Sequence, residues 1–371
     1  MSLRPEVHFS SVLDYCSSNK TFQCFQGNPL NRLNIHRKTL QDLVQHSQTR
    51  FLPYRQLKVL FSQEKKQPVW LTYDKLFQQS QLTIEQCELV VLGIGPNTIA
   101  DRPTPVTTIE PTKIDTQLLN KFLLASEPTP DEYIYCALAL PSTSPDSSLG
   151  SYVDLRPILP YLSVIDAALC GQGRALLDWH ASYKFCGKCG SSTTSLEGGT
   201  RRKCTTCNHT IYPRTDPVCI TLVIHSDGQR VLLGRKASFP GQVYTCLAGF
   251  IEPGESIPEA CSREIWEESG VVIDTKQVQY FDSQPWPFLG GQLMIGCYAQ
   301  AIDEQVALND SELEDCRWFN RDEIGQMIQE SLNMTSKNLR IPPPINIELA
   351  YKYKKCRLSS LLFISIKTIS T

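Results

Sequence analysis

The chain has 371 residues, 41% of them hydrophobic and 20% charged, a balance that supports a buried core and excludes a largely disordered polypeptide. Its length predicts two or three domains. The formal charge of −2 excludes a general polyanion-coating protein, and no apolar run reaches the roughly 18 residues that span a bilayer, so no membrane partner is expected.

The opening segment, MSLRPEVHFSSVLDY, lacks the apolar core of a secretory signal. An odd count of fifteen cysteines then predicts a reducing, intracellular compartment and mostly free thiols. Up to residue 150 the chain reads as a β-rich domain. Residues 58–61 and 68–73 flank a charged 62–67 segment, which predicts a hairpin, and 87–94 and 133–140 predict further strands. The Pro-, Thr- and Ser-rich stretches 96–116 and 141–151 read as loops. No catalytic constellation and no internal repeat stands out there. Residues 159–179 are helix-compatible, and Gly171 and Gly173 predict a break into two pieces. From Pro217 strands return (218–224, 231–233), then a glycine-rich turn, one strong helix and more strands, which predicts an α/β or α+β domain over 215–345.

Four cysteines stand apart. Cys186-Gly187-Lys188-Cys189 and Cys204-Thr205-Thr206-Cys207 are separated by fourteen residues. Each CxxC can fold as a tight knuckle aiming two thiolates at one ion. Four soft sulfur ligands suit a structural Zn²⁺, one per chain, with no position left open for water. The reading is a zinc ribbon within 151–214, and His209 is expected to be a surface residue. Arg201-Arg202-Lys203 raises a nucleic-acid reading, but three like charges are few for a dedicated binder, and a solvated charged turn is expected instead.

The stretch from Gly249 to Val271 carries the chemistry. Ser256 with Glu259 three residues on forms a capping box, Pro258 is tolerated in the first turn, and Gly270 stops the helix. Ile257, Cys261 and Ile265 form an apolar stripe, while Glu264 and Glu268, at i and i+4, project from one face with Glu267 beside them. Three unneutralised carboxylates on one patch repel, and a hard divalent cation, Mg²⁺ or Mn²⁺, resolves the repulsion. Such an ion binds phosphate oxygens and activates water. Arg263 is placed to reach back to Glu255 and brace the loop.

Gly249, Glu255, Arg263, Glu264, Ile265, Glu267, Glu268, Gly270 and Val271 match Gx₅Ex₇REUxEExGU position by position. That pattern is the Nudix box, so the chain resembles the Nudix hydrolases, which cleave nucleoside diphosphates linked to another moiety. The four-cysteine ribbon upstream, closing with Tyr212-Pro213-Arg214, and Ser283-Gln284-Pro285-Trp286-Pro287-Phe288 with Leu293-Met294 resemble the NADH pyrophosphatase subfamily, whose mark is SQPWPFPxSLM. Residues 25–32, 175–180 and the Ile-Pro-Pro-Pro of 341–344 extend that likeness. Two departures are present. Leu289, Gly290, Gly291 and Gln292 make the loop one residue longer than the family's, and Glu348 stands where the family has alanine.

The resemblance implies an α+β protein: an N-terminal NADH-pyrophosphatase-like domain (1–150), a helix and zinc ribbon (151–214), a Nudix α/β/α sandwich (215–345) and a divergent tail (346–371). It implies catalysis by Glu264, Glu267 and Glu268, with Mg²⁺ or Mn²⁺ held by Glu264, Glu268, Glu312 and the Ala248 carbonyl. Substrate contacts fall to Tyr212, Gln284, Pro285, Trp286, Pro287, Phe288, Leu289, Gly290 and Gly291. Trp286 and Phe288 also have a physical rationale, since flat apolar rings on a proline-stiffened segment suit nucleobase contacts. The expected activity is hydrolysis of NADH, and of NAD⁺, to reduced nicotinamide mononucleotide and AMP. Removal of NAD caps from RNA 5′ ends is the alternative, and a zinc-ribbon binding protein with an idle Nudix domain is the rival from another class. A homodimer is implied, in the cytoplasm or in peroxisomes, although Ile369-Ser370-Thr371 is not a Ser-Lys-Leu type address.

Overall fold

The structure is a computed structural model that describes Phe25, Asn28, Leu30 and residues 47–78, 82–100, 131–144, 148–239, 242–288, 290–308, 312–320, 322–324, 326 and 366–368. The described residues form two units, one drawn from 25–215 and 285–292, the other from 216–284 and 293–371. The fold class is α+β, with mixed sheets and few helices. No described helix is long and apolar enough to cross a membrane.

The first unit opens on a sheet of β1 (Thr49–Arg55), β2 (Lys58–Ser62), β3 (Gln67–Pro68), β4 (Glu88–Pro96), β5 (Glu132–Leu140) and β6 (Ser151–Val153). Its order is β3-β2-β1-β5-β4, with β6 on β2. The expected hairpin is β2–β3, where Phe61 faces Pro68. The sequence did not reveal β1, because Pro53 interrupts its pattern and a proline argues against a central strand. Yet β1 lies in the middle, parallel to β5, with Pro53 opposite Leu138.

Helix α1 (Val164–Ser182) buries Leu169, Leu177 and Trp179, and the Tyr54 hydroxyl donates to the Cys170 carbonyl at 2.8 Å. The helix is unbroken, contrary to the expectation from Gly171 and Gly173. These glycines admit close neighbours instead. A Cβ at Gly171 would lie 2.6 Å from the Phe25 ring, and one at Gly173 would lie 2.9 Å from Ala137 Cβ and from the Tyr54 oxygen.

The ribbon follows as an antiparallel sheet of β7 (Thr193–Leu196), β8 (Arg201–Cys204) and β9 (Thr210–Ile211). Its arginines are not a solvated turn. Arg202 is buried, donating to Thr193 Oγ1 at 2.8 Å, to Glu88 at 3.0 Å and to His180 Nδ1 at 2.7 Å. Arg201 pairs with Glu197. Two of the three positive charges are therefore spent inside the unit, which removes the basis for a phosphate patch there.

The second unit holds β10 (Asp216–Ile224), β11 (Arg230–Arg235), β12 (Gln242–Tyr244), β13 (Leu247–Phe250), β14 (Val272–Ile273), β15 (Gln279–Trp286), β16 (Gln292–Asp303) and β17 (Asp315–Asn320). The main sheet runs β14-β16-β10-β11-β17, with β13 on β10 and β15 on β16. Strand alternation sends β10 side chains to two cores. Cys219 and Val223 join Ala260, Cys261 and Ile265 of helix α2 (Ile257–Ser269). Ile220 and Leu222 join Tyr298, Phe319 and Ile324 on the other side.

Candidate active site

Helix α2 is delimited by its own sequence. The Glu259 carboxylate accepts from the Ser256 backbone N–H at 2.7 Å and from its hydroxyl at 2.6 Å. At the far end Gly270 takes φ +72°, a left-handed conformation that glycine reaches without strain. With the apolar stripe buried, Glu264 and Glu268 are turned towards β13. Gly249 leaves room for this: a Cβ there would lie 1.9 Å from the Glu264 carboxyl carbon.

Arg263 organises the carboxylates. It donates to Glu255 at 2.6 and 2.8 Å, to Glu264 at 2.8 Å, to Glu267 at 3.0 Å and to the Phe250 carbonyl at 2.9 Å. The patch is thus not wholly unneutralised, as the sequence alone suggested. The guanidinium beside Glu255 holds that carboxyl down at about 2.

Glu268 differs. It is 2% exposed, and its Oε2 is buried without a hydrogen-bond partner. Burial pushes its carboxyl up to about 8, against the pull of Lys236, while Glu312 and Glu264 push it further. Burial also raises Glu264, with Arg263 opposing and Glu267 and Glu312 adding. A buried carboxylate oxygen with no donor, among like charges, fits a divalent cation. The structure brings Glu312, exposed at the chain's approach to β17, within electrostatic reach of both glutamates. It ion-pairs with Lys236 at the end of β11.

Lys236 escaped the sequence reading because nothing local marks it. It stands beside Glu312 because β11 and β17 pair antiparallel with Arg235 opposite Asp315. Ala248 lies on β13 opposite Ile220, and its backbone meets the Glu268 carboxylate.

The sulfurs of the four cysteines converge. Cys186 to Cys207 is 3.7 Å, Cys189 to Cys204 is 3.4 Å and Cys189 to Cys207 is 3.5 Å. Ligands about 2.3 Å from a tetrahedral centre stand about 3.8 Å apart, so the array fits one ion. The Lys188 amide points at the Cys186 sulfur, and those of Cys207 and Thr206 point at the Cys204 sulfur, each at 3.4 Å, the latter two holding the Cys204 thiol below its ordinary value. Among the described residues this is the one group of three or more cysteine, histidine and acidic side chains whose ligand atoms all lie within 4.8 Å of one another.

Of the expected substrate contacts, Gln284 is buried at the end of its unit's β15 segment, with Ser283 and Asp282 before it. Tyr212 and Pro285–Gln292 belong to the other unit. There Tyr212 is 63% exposed, whereas Phe288 is 2% exposed, with Trp286 edge-on at 5.1 Å and Phe25 at 6.1 Å. Pro287 is buried, Pro285 exposed, and Gly290 and Gly291 take φ of +89° and +88°. Leu289, Glu348 and 341–344 lie outside the described residues.

Residues 214–338 match the family model of the NUDIX domain, and residues 48–179 match that of the NADH pyrophosphatase-like rudimentary NUDIX domain. The chain is a member of the Nudix family. Helix α2 is its Nudix helix, and the rudimentary NUDIX domain takes in the first unit's sheet and α1 as far as Trp179. NAD-capped RNA hydrolase NUDT12 of Macaca fascicularis is 47% identical over 176 residues, 45% of this chain and 37% of that protein. The mitochondrial NAD(P)H pyrophosphatase NUDT13 of Mus musculus is 36% identical over 234 residues, 60% of this chain and 65% of that protein. The NAD-capped RNA hydrolase of Schizosaccharomyces pombe is 38% identical over 217 residues, 53% and 57% of the two chains. The chain thus spans between 37% and 65% of the lengths of these relatives.

Proposed function

We propose that this Nudix protein hydrolyses the diphosphate of NADH, and of NAD⁺, giving the nicotinamide mononucleotide and AMP. The observation that carries the reading is the buried, unpartnered Glu268 oxygen beside Glu264 on the Nudix helix. Glu264, Glu268, Glu312 and the Ala248 carbonyl would hold Mg²⁺ or Mn²⁺. A bound divalent cation neutralises diphosphate oxygens and lowers the pKa of water bound to it.

The chain's own groups do the rest. Glu264, Glu267 and Glu268 are the catalytic carboxylates, and one of them takes the proton of the attacking water. Arg263 locks Glu264 and Glu267 against Glu255, so the carboxylates are positioned before substrate arrives. Lys236 holds Glu312. Tyr212, Gln284, Pro285, Trp286, Pro287, Phe288, Leu289, Gly290 and Gly291 contact the dinucleotide. The cysteine cluster binds one structural Zn²⁺ per chain, supported by its sulfur spacing. The same reading keeps the division 1–150, 151–214, 215–345 and 346–371, a homodimer, and an intracellular site, cytoplasmic or peroxisomal.

A second substrate, the NAD cap of RNA, is favoured by the names of the macaque and fission-yeast relatives. The test is hydrolysis of NADH, NAD⁺, ADP-ribose and NAD-capped RNA with Mg²⁺ or Mn²⁺, beside Glu268→Gln. Release of AMP from NADH, lost in the variant, supports the proposal. No turnover of any of them by folded, zinc-loaded protein would overturn it and leave the binding-protein reading in front.

A further inference from the structure

Lys236 serves two of the acids that the proposed cation site uses. Its ammonium ion-pairs with Glu312, and it is the largest pull lowering the Glu268 carboxyl against burial. It gives Glu268 charge without a bond, since the buried Oε2 of that residue has no hydrogen-bond partner. Lys236, Ala248, Glu264, Glu268 and Glu312 all belong to one unit.

The segments that carry Lys236 and Glu312 are fastened to each other without that ion pair. Arg235 binds Glu314 through two nitrogens, at 2.6 and 2.7 Å, and the Glu314 amide donates to the Arg235 carbonyl at 2.8 Å. Between the two glutamates Leu313 is buried in the core that also holds Cys261 and Ile265 of the Nudix helix. It lies so close to β11 that a Cβ at Gly234 would stand 2.8 Å from one of its methyls. Glu312 therefore stays at the site whatever Lys236 does. The Lys236–Glu312 pair, half-buried on one side and exposed on the other, adds little to that hold.

A divalent cation on Glu264, Glu268 and Glu312 would bring two positive charges to acids that Lys236 serves with one, and the like charges repel. An ammonium is a point charge on a flexible stem, able to change partners, whereas the Arg235 fork is pinned to Glu314. We propose that Lys236 is a placeholder for the divalent cation: it neutralises Glu312 and Glu268 ahead of the cation, and its ammonium must give up Glu312 for the cation to bind. Lys236 is then a positioning residue that sets cation affinity, not a catalytic one. A lysine that merely braced Glu312 for the cation would act on that affinity in the opposite direction. The inference rests on the cation site of the proposed function and on no particular dinucleotide.

The experiment measures binding of Mn²⁺ itself, by its electron paramagnetic resonance signal, with the full, zinc-loaded chain and no substrate. Wild type is compared with Lys236→Met, Lys236→Gln, Lys236→Arg and Arg235→Met. Lys236→Met should bind Mn²⁺ about tenfold more tightly, and Lys236→Arg, which restores the charge, should return Kd to within about threefold of wild type. Lys236→Gln is equally uncharged, should follow Lys236→Met, and keeps the test open if that variant does not fold. Arg235→Met removes a neighbouring charge that Glu314 already holds, and should tighten binding less than about threefold. Weaker Mn²⁺ binding without the lysine would make Lys236 a brace and overturn the placeholder. Equal tightening by Lys236→Met and Arg235→Met would reduce the effect to the general field and overturn it too, as would a wild-type chain that binds no Mn²⁺. The expected order of affinities in a chain that hydrolyses no dinucleotide would count against the proposed function and leave the placeholder standing.

Discussion

Gly249 on β13 and Glu264 on the Nudix helix occupy what would otherwise be one volume: a Cβ at Gly249 would stand 1.9 Å from the Glu264 carboxyl carbon and 2.0 and 2.1 Å from its oxygens. The glycine is there for the carboxylate. Gly249→Ala should displace the Glu264 side chain and lower kcat at least about tenfold, with a stability loss of about 1–3 kcal/mol from overpacking. Steady-state rates and urea unfolding of the same preparation check this. Wild-type rates in the alanine variant would show that Glu264 does not act from the observed position.

Glu268→Gln keeps the shape of the side chain and removes its charge. Activity should fall at least about a hundredfold, the scale of a lost acid–base or metal-binding carboxylate. Stability of the cation-free protein should hold or rise, because glutamine at this buried, partnerless position needs neither to take up a proton on folding nor to desolvate a charge. Thermal melting without divalent cation reads the second part.

Arg263 tests positioning. Lysine retains the charge but not the fork that reaches Glu255, Glu264, Glu267 and the Phe250 carbonyl together. Arg263→Lys should lower kcat about 10- to 100-fold and raise the divalent-cation concentration needed for half-maximal rate. A change in KM for the dinucleotide alone, with kcat kept, would assign Arg263 to substrate binding instead.

The cysteine cluster predicts one equivalent of zinc per chain by elemental analysis, absent from Cys204→Ser. Chelation should lower the melting temperature by about 10 °C or more, because metal binding energy is folding energy in a small ribbon.

His180 predicts an acid-sensitive step. Burial is the largest cause holding its pKa below 6.5, and Arg202 lowers it too, while Glu88 and Gly199 oppose them. Its Nε2–H donates to the Gly199 carbonyl at 2.8 Å and its Nδ1 accepts from Arg202 at 2.7 Å, the pattern of a neutral ring. In the unfolded chain the histidine takes up a proton as pH falls through 6.5. The folded chain does so only at lower pH. The contribution is therefore complete above pH 6.5 and is lost as pH falls towards the folded value. Urea midpoints of zinc-saturated protein between about pH 8 and pH 5 should show this slope, flattened by His180→Gln.

The sequence by itself determined what local periodicity controls. Glu264, Glu267, Glu268 and Arg263 stand within two turns of one helix, so their spacing already places them on one patch, and the caps at Ser256 and Gly270 are equally local. The cysteine pairs were legible for the same reason, since each knuckle is four residues long.

Only tertiary structure decided which of these charges are buried, paired or alone. Glu312 and Lys236 meet through the register of two strands far apart in sequence. Gly171 and Gly173 read as helix breakers until Phe25, Tyr54 and Ala137 came close enough to need their missing side chains. Arg202 read as a solvated charge until His180 and Glu88 closed around it. Periodicity determines the direction of a side chain from its own backbone. The groups it meets depend on segments whose proximity is paid for by the whole fold, and there Glu268 lost its water and Arg174 its acceptors.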